Sequence, residues 1–455
     1  MKFYIWTIGC QMNEADSRHL SEELLRAGYT PCDDLRQADL VVLNTCVVRQ
    51  QAEDRVWGQL RELQRWKQRR PDLRIALMGC LVGHRPAQRD RLRQQLPFVD
   101  YFLPPSDFSE LLNDLGDGVG ACSTVQEATA HSIGANRDGP TLPAPVSANV
   151  PAVLGCSHTC TYCIIPYRRG AERSRDPEQI LAEIQNLIAR GTREVVLLGQ
   201  IVDRYGYDLP NGPDLAGLLA HVAQLEGLRR VRFLTSHPSY VTDRLIETVA
   251  AHPKICPQFE LPAQAGDDTI LARMRRRYTA AEYLATVERI RRVLPHAAIH
   301  SDFIVGFPGE TDEQFERTCQ LVREVRFDKL HIARYSPRPD TYAQRHYPDD
   351  VPADVKEERR RRLESVQREI QSELNRRWLG QVVQVLVDGF DERRRRWRGR
   401  TELDRLVFFE DPRPRLGQLV PVRITWTGPY SLLGEPVDHA PQSRLERLAV
   451  SPPNG

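Results

Sequence analysis

Cys156, Cys160 and Cys163 stand at C-x3-C-x2-C spacing within Gly155-Cys-Ser-His-Thr-Cys-Thr-Tyr-Cys-Ile-Ile-Pro-Tyr-Arg-Arg-Gly170, and any fold of this chain must let that loop bring three thiolates to one point. Cysteine thiolates are the usual protein ligands of iron–sulfur clusters. The next cysteine back, Cys122, lies across a Pro/Gly-rich stretch, so the loop offers three ligands. A closed structural zinc site needs four. The nearby candidate for a fourth, His158, lies inside the loop that it would have to clamp from outside. The spacing therefore points to a 4Fe-4S cluster whose open iron is bound by a small molecule.

The first third of the chain repeats one pattern. Residues 2 to 8, rich in aromatic and β-branched side chains, read as a strand that ends at Gly9-Cys10 before a helical run from about Glu14 to Ala27. Ala38-Asp-Leu-Val-Val-Leu-Asn-Thr-Cys46 and Leu73-Arg-Ile-Ala-Leu-Met-Gly-Cys80 repeat it, and Val56, Leu60 and Leu63 after the second strand have helical spacing. Strands alternating with helices predict a parallel α/β sheet, in which ligands bind outside the carboxyl ends of the strands. Cysteine is also an ordinary small core residue. Cys32, Cys122, Cys256 and Cys319 have no such placement and are read that way. Cys10, Cys46 and Cys80, each at a strand exit, predict a second cluster with three protein ligands.

The three-cysteine loop, with Tyr162 before its last cysteine, resembles the signature of the radical S-adenosylmethionine enzymes. Thr7-Ile-Gly-Cys-Gln-Met-Asn-Glu-Ala-Asp-Ser17, Asn44-Thr-Cys-Val-Val-Arg49 and Gly79-Cys80 resemble the N-terminal domain of one branch of them, the methylthiotransferases. The resemblance spans essentially the whole chain. It implies two 4Fe-4S clusters, with S-adenosylmethionine on the open iron of the one held by Cys156, Cys160 and Cys163. It also implies the chemistry: one S-adenosylmethionine methylates sulfur at the auxiliary cluster, and a second is cleaved to a 5′-deoxyadenosyl radical. That radical takes hydrogen from the substrate carbon, which then captures the methylthio group. No side chain is needed as the central acid or base.

Three domains are expected: a parallel α/β sheet over 1–118, a central unit over 142–373 after a linker at 119–141, and a small all-β barrel over 376–440. In the central unit six strand-like runs, 150–154, 193–198, 229–235, 258–262, 298–305 and 328–335, alternate with helices and suit an open (β/α)6 barrel whose active site is built from the loops after the strands. The strand exits are polar or Gly-rich: Gly199-Gln200, Ser236-His237-Pro238, Gln264-Ala265-Gly266 and Gly306-Phe-Pro-Gly-Glu310. His237 alone reads as structural, and Glu310 as a cap of the helix starting near Thr311. As a set they predict a cofactor rim with Tyr162, Gly199, Gln200, Ser236 and Gly306. Leu198-Gly199-Gln200 and Ile304-Val-Gly306 resemble cofactor-holding segments of the family. Ala265-Gly266-Asp267 departs from the expected Ser-Gly-Ser, so Ala265 is not assigned.

Val355 to Trp378 carries Leu363, Val366, Ile370, Leu374 and Trp378 on one stripe, the pattern of a core-facing helix. Beyond it, alternating strands resemble the TRAM domain, an OB-like RNA-binding module, as do Gly399-Arg-Thr-Glu and Leu406-Val-Phe-Phe409. The run Arg393, Arg394, Arg395, Arg396 and Trp397 is predicted to meet RNA, the arginines through phosphates and the tryptophan as a stacking platform. A solvated turn is the plainer reading of such a run. Lys plus Arg is 63 against Asp plus Glu 61, so any nucleic-acid footprint must be local.

Asn44 to Trp57 and Ile165-Pro-Tyr-Arg-Arg-Gly170 resemble the branch acting on isopentenyladenosine beside the tRNA anticodon. That implies tRNA, an electron donor and a sulfur or cluster donor as partners. The alternatives are the threonylcarbamoyladenosine branch, the ribosomal-protein aspartate branch and a non-catalytic iron–sulfur RNA-binding protein, which would consume no S-adenosylmethionine. Ten sparse cysteines fit a reducing compartment rather than a disulfide scaffold. The hydrophobic N-terminus is too short for a signal peptide and no apolar run approaches a membrane span, so a soluble cytoplasmic protein is expected.

Overall fold

A computed structural model describes residues 1–48, 50–115 and 144–438. The linker expected at 119–141, Cys122 and the residues after 438 lie outside them.

The N-terminal unit is a five-stranded sheet in the order β2-β1-β3-β4-β5, all parallel: β1 Lys2–Thr7, β2 Thr30–Pro31, β3 Leu40–Thr45, β4 Arg74–Gly79 and β5 Tyr101–Leu103. Every residue of β3 is buried, as parallel strands covered on both faces require. The predicted strands at 2–8, 38–46 and 73–80 are β1, β3 and β4; the two short edge strands carry no pattern long enough to predict them. Helix Gln11–Arg26 follows β1, and Val56, Leu60 and Leu63 of helix Gln50–Arg69 pack into one core cluster with Val41, Leu43, Ile75 and Leu77.

The central unit has the six expected parallel strands: β6 Ser147–Pro151, β9 Glu194–Leu198, β10 Arg230–Leu234, β11 Gln258–Glu260, β12 Ala298–Val305 and β13 Lys329–Arg334. β6, β9 and β10 form one sheet and β11, β12 and β13 another, joined by a parallel bridge between Val231 and Ile255, so the strands curve into an open barrel. A short pair, β7 Val153–Leu154 with β8 Arg173–Ser174, brackets the cysteine loop. The first strand starts earlier than its apolar pattern predicts, because Ser147 and Asn149 dilute the alternation. Both have partners: Ser147 donates to Glu194 (2.8 Å) and Asn149 to Glu14 of the N-terminal unit (2.8 Å).

Helix Gln11–Arg26 lies along β6, and Met12 packs on Val196, Leu198 and Leu234 of the barrel strands. The buried Glu183 ties the units together. It meets Arg18 (2.6 Å), His19 (2.8 Å) and Arg175 (2.8 Å); burial disfavours its charge, yet these cations hold its carboxyl well below the usual range.

Helix Ala353–Arg376 leads into a closed barrel in the order β14-β15-β16-β18-β17: β14 Val382–Asp391, β15 Arg396–Arg400, β16 Leu406–Phe409, β17 Leu419–Thr427 and β18 Leu432–Pro436. Closure removes the exposed edges that a five-stranded sheet would otherwise present. Its β15–β16 loop seals the floor of the central barrel. Arg232 on β10 bonds Glu194 Oε2 (2.9 Å) within the barrel and the carbonyls of Thr401 (2.6 Å) and Glu402 (3.0 Å) below it. Removing one member of a buried pair strands the other. Arg232→Leu is therefore expected to cost about 3–5 kcal/mol of stability by denaturant unfolding; a cost below about 1 kcal/mol would contradict that pairing.

Candidate active site

All six predicted cluster cysteines line one cavity of about 580 Å³ between the N-terminal sheet and the mouth of the central barrel. Cys10 precedes helix Gln11–Arg26, and Cys46 and Cys80 directly follow β3 and β4. The turns holding them are built locally. Gly79 has φ +93°, and a Cβ there would lie 2.6 Å from the Thr45 carbonyl, so this exit accepts only glycine. A buried amide pair braces the turns of Cys10 and Cys46. Asn13 Nδ2 donates to Asn44 Oδ1 (2.7 Å) and to the Thr45 carbonyl (3.0 Å), Asn44 Nδ2 donates to Ser17 Oγ (2.8 Å), and the Cys10 thiol donates to Asn13 Oδ1 (3.4 Å).

The second trio leaves β7 through Gly155, at φ +69°, where a Cβ would strike the Ala171 carbonyl at 2.1 Å. The Cys156 amide donates to the Gly170 carbonyl (3.0 Å) and that of Cys163 to the Cys160 carbonyl (3.1 Å), curling the loop. Arg276 stands behind it: Nη1 is 3.6 Å from Cys160 Sγ, Nε bonds Tyr278 (3.0 Å) and Nη2 the Pro262 carbonyl (3.0 Å).

Burial pushes the thiols of Cys80 and Cys156 up to about 11 and that of Cys163 up to about 12, so these ligands become thiolates only as a metal centre displaces their protons. Among the described residues no group of three His, Cys, Asp or Glu side chains is arranged to hold a single metal ion. His158, the candidate fourth zinc ligand, is engaged elsewhere, with Nε2 3.0 Å from the Tyr240 hydroxyl.

Of the predicted cofactor residues, Tyr162, Gly199, Gln200 and Ser236 line the cavity. Gly199 is glycine for the sake of the turn, since a Cβ would sit 2.8 Å from Val202 Cα. Gly306 is not among the lining residues. It has φ +69° and faces helix Ala353–Arg376, where a Cβ would meet Lys356 Cγ at 2.3 Å, and its amide donates to Glu310 Oε2 (2.6 Å). Glu310 is not the helix cap that the sequence predicts: it joins Gly306 to Arg359 (2.8 Å), and Thr311 with Gln314 forms the capping box. Ala265 lies in the core, and Gly266 fits under the backbone of Thr318, where a Cβ would be at 2.5 Å.

Thr235, His237 and Gln264 also line the cavity, although none of them is among the five predicted cofactor residues. Thr235 and Gln264, at strand exits, hold left-handed backbone at φ +70° and +69°. A β-branched residue pays for that conformation, and such outliers cluster at functional sites. His237, which reads as structural from sequence, is so only on one side: its Nδ1 accepts from the Ser239 amide (3.3 Å) and its own amide donates to Asp203 (3.0 Å). That leaves Nε2 as the protonated nitrogen. It is buried without a partner among the described residues, as is Ser236 Oγ beside it. Burial, with Arg276 nearby, lowers His237 to about 2, so the ring remains a neutral donor. Two orphaned buried donors on residues that line the cavity fit an acceptor-rich ligand such as the amino acid or ribose of S-adenosylmethionine.

On the C-terminal barrel, Arg393, Arg394 and Arg395 form the exposed β14–β15 turn. Arg396 is paired with Glu410 (3.0 Å). Trp397 corrects the expectation of a free stacking platform: its indole N–H donates to the Asp411 carbonyl (3.0 Å), it packs edge-on to Phe390 (4.8 Å) and it covers the barrel core.

Three family patterns match the chain: the radical SAM superfamily over residues 150–322, uncharacterized protein family UPF0004 over 2–104 and the TRAM domain over 376–437. A tRNA-2-methylthio-N(6)-dimethylallyladenosine synthase of Chloroflexus aurantiacus is 48% identical over 96% of this chain and 91% of its own length. One from Roseiflexus sp. is 45% identical over 95% and 89%. Among solved structures, the radical S-adenosylmethionine methyltransferase TsrM from Kitasatospora setae superposes with a TM-score of 0.54 at 14% identity, over 75% of this chain and 77% of that one, a likeness of fold.

Proposed function

This chain belongs to the family of tRNA-2-methylthio-N(6)-dimethylallyladenosine synthases, and from that premise we propose that it replaces hydrogen at C2 of N6-isopentenyladenosine, next to the anticodon, with a methylthio group. The observation that carries the reading is the shared cavity: two trios of free cysteines, one from each unit, face the same space. A separate RNA-binding iron–sulfur protein would have no use for that arrangement.

Cys156, Cys160 and Cys163 would hold the cluster that cleaves S-adenosylmethionine to a radical, and Cys10, Cys46 and Cys80 the auxiliary one at which the methylthio group is delivered. The remaining work falls to side chains. Ser236 Oγ and His237 Nε2 offer donors to S-adenosylmethionine, with Tyr162, Gly199, Gln200 and Gln264 along the same wall. Arg276 fixes Cys160 from behind, and Gly306 supports the rim through Lys356 and Glu310 rather than touching the cofactor. Met12 and the docked N-terminal unit wall one side of the barrel mouth and narrow the access of water to a reactive site. Anticodon loops offer unpaired bases that can be splayed into such a cavity. An electron donor and a sulfur or cluster donor complete the reaction, and a tRNA substrate assigns the work to the cytoplasm. Among the described residues no helix is long and apolar enough to cross a membrane. We retain the division at 1–118, 119–141, 142–373 and 376–440 as the working domain scheme.

The test offers the reconstituted protein, with S-adenosylmethionine and a reductant, tRNA carrying isopentenyladenosine, tRNA carrying threonylcarbamoyladenosine and ribosomal protein. The first alone should gain a methylthio group by mass spectrometry. Thiolation of either other substrate in its place overturns the assignment.

The exposed turn at Arg393, Arg394 and Arg395 supports a phosphate anchor. Replacing these three with Ala should weaken tRNA binding and flatten its salt dependence by about one unit of slope for each phosphate no longer held. S-adenosylmethionine cleavage without RNA should be unaffected. An unaltered slope in titrations at several salt concentrations would leave the run a solvated turn. Trp397→Ala should instead act on the barrel: a half-buried tryptophan falls below the range for full burial, so a stability loss of about 2–3 kcal/mol is expected.

A further inference from the structure

We propose that the stacking surface of the C-terminal barrel lies at the end of β17, where Trp426 offers one face of its indole to an unpaired nucleobase of the tRNA. The inference rests on the tRNA reading above and deepens it by naming where the barrel touches that partner.

Strand β17 alternates. Val420, Val422 and Ile424 point into the barrel core, while Leu419, Arg423 and Thr425 are exposed. Continued, that period of two would bury Trp426. Instead the β17–β18 pairing slips between Ile424 and Trp426, which leaves one extra residue on β17. A bulge of this kind turns a side chain to the other face of its sheet, and Trp426 stands 50% exposed. The turn after it carries the ring. A Cβ on Gly428 would strike the indole at 2.3 Å, so the ring rests on glycine backbone. Asn375 Nδ2 pins that turn to helix Ala353–Arg376 through the carbonyls of Gly428 (2.6 Å) and Pro429 (3.3 Å). The indole is thus held from one side and open on the other.

The surroundings suit RNA. Tyr430 on the same turn is 66% exposed, and its hydroxyl accepts from Arg368 Nε (3.4 Å). Arg423 donates to the Gly380 carbonyl (3.3 Å), and neither arginine enters an ion pair among the described residues, although Glu435 stands opposite Arg423 in the strand register. Exposed aromatic faces beside arginines without a carboxylate partner are the make-up of sites for single-stranded nucleic acid. The plainer view is that Trp426 is one of the apolar residues found singly on any surface. Simple alternation would have buried it, however, as Trp397 is turned in to cover the core of the same barrel. Helix Ala353–Arg376 sets the distance to the chemistry: Lys356 packs at Gly306 beside the cavity rim and Asn375 at the Trp426 turn, about 28 Å along the helix. Trp426 therefore acts on tRNA binding and not on the reaction.

Full-length protein carrying both clusters would be titrated with tRNA bearing isopentenyladenosine, at several salt concentrations, as wild type, Trp426→Ala, Trp426→Leu and Trp426→Phe. The Ala and Leu variants should each bind about fivefold or more weakly, the low end for a lost stacking contact, with an unaltered salt slope, and the Phe variant should keep most of the affinity. Formation of 5′-deoxyadenosine without RNA should not change. Fluorescence gives a reading that needs no truncated side chain: tRNA should quench wild type more than Trp426→Phe. Affinity of Trp426→Ala within about twofold of wild type, affinity restored by Trp426→Leu, or equal quenching in wild type and Trp426→Phe overturns the proposal. So does a dimer in sedimentation that Trp426→Ala dissociates, which would make this face a contact between copies of the chain. A wild type that binds no tRNA would instead overturn the reading beneath it.

Discussion

Cys160→Ala is expected to reduce 5′-deoxyadenosine formation to the level of a protein-free control, and methylthiolation with it. Cys160 is one of three thiols supplied by a single loop, and the loop offers no substitute: His158 is turned to Tyr240, and Arg276, with Nη1 3.6 Å from the Cys160 sulfur, has only donors. Losing a partner one shell beyond the ligands already costs about 10–100-fold in metal affinity or activity. Loss of the ligand should cost more. Chromatographic assay of 5′-deoxyadenosine under excess reductant checks this, and cleavage at even a tenth of the wild-type rate would remove Cys160 from the centre that delivers the electron.

Cys46→Ala should separate the two halves of the reaction. Cys46 follows β3 in the N-terminal unit, while every residue proposed to hold S-adenosylmethionine comes from the barrel loops. Cleavage of the cofactor should therefore persist at a measurable rate while the thiolated nucleoside disappears. The turn itself should survive, because Asn13, Asn44 and the Thr45 hydroxyl, which donates to the Met78 carbonyl (2.6 Å), brace it independently of the thiol. Measuring 5′-deoxyadenosine and methylthiolated nucleoside in one reaction reads both halves. Full methylthiolation by this variant would take the auxiliary trio out of the mechanism.

The cysteines are legible because each sits where an apolar run stops, and a parallel sheet sends every such stop to the same edge. The rest of the pocket is less so. Thr235 and Gln264 are ordinary letters whose left-handed backbone is imposed by tertiary packing, and Arg276 lies in the run Arg275-Arg276-Arg277, in which no letter marks one guanidinium as buried. Its flanking residues, both at positive φ, twist that one guanidinium inward. Gly306 shows the reverse: a glycine at a strand exit suggests close approach of a ligand, whereas the approaching atoms belong to Lys356, some fifty residues on. Trp397 misleads for a similar reason, since the Asp411 carbonyl that takes its indole N–H comes from a different part of the barrel. Met12 in the barrel mouth has no signature at all, because the sequence alone does not say which surfaces of two units meet.

Iron and sulfide analysis with Mössbauer spectroscopy, on anaerobically reconstituted wild type and on the variant with Cys156, Cys160 and Cys163 all replaced by Ala, tests the shared cavity most directly. Two 4Fe-4S clusters per chain in the wild type and one in the variant are predicted. A single cluster in the wild type, with zinc at the other trio, would contradict the account.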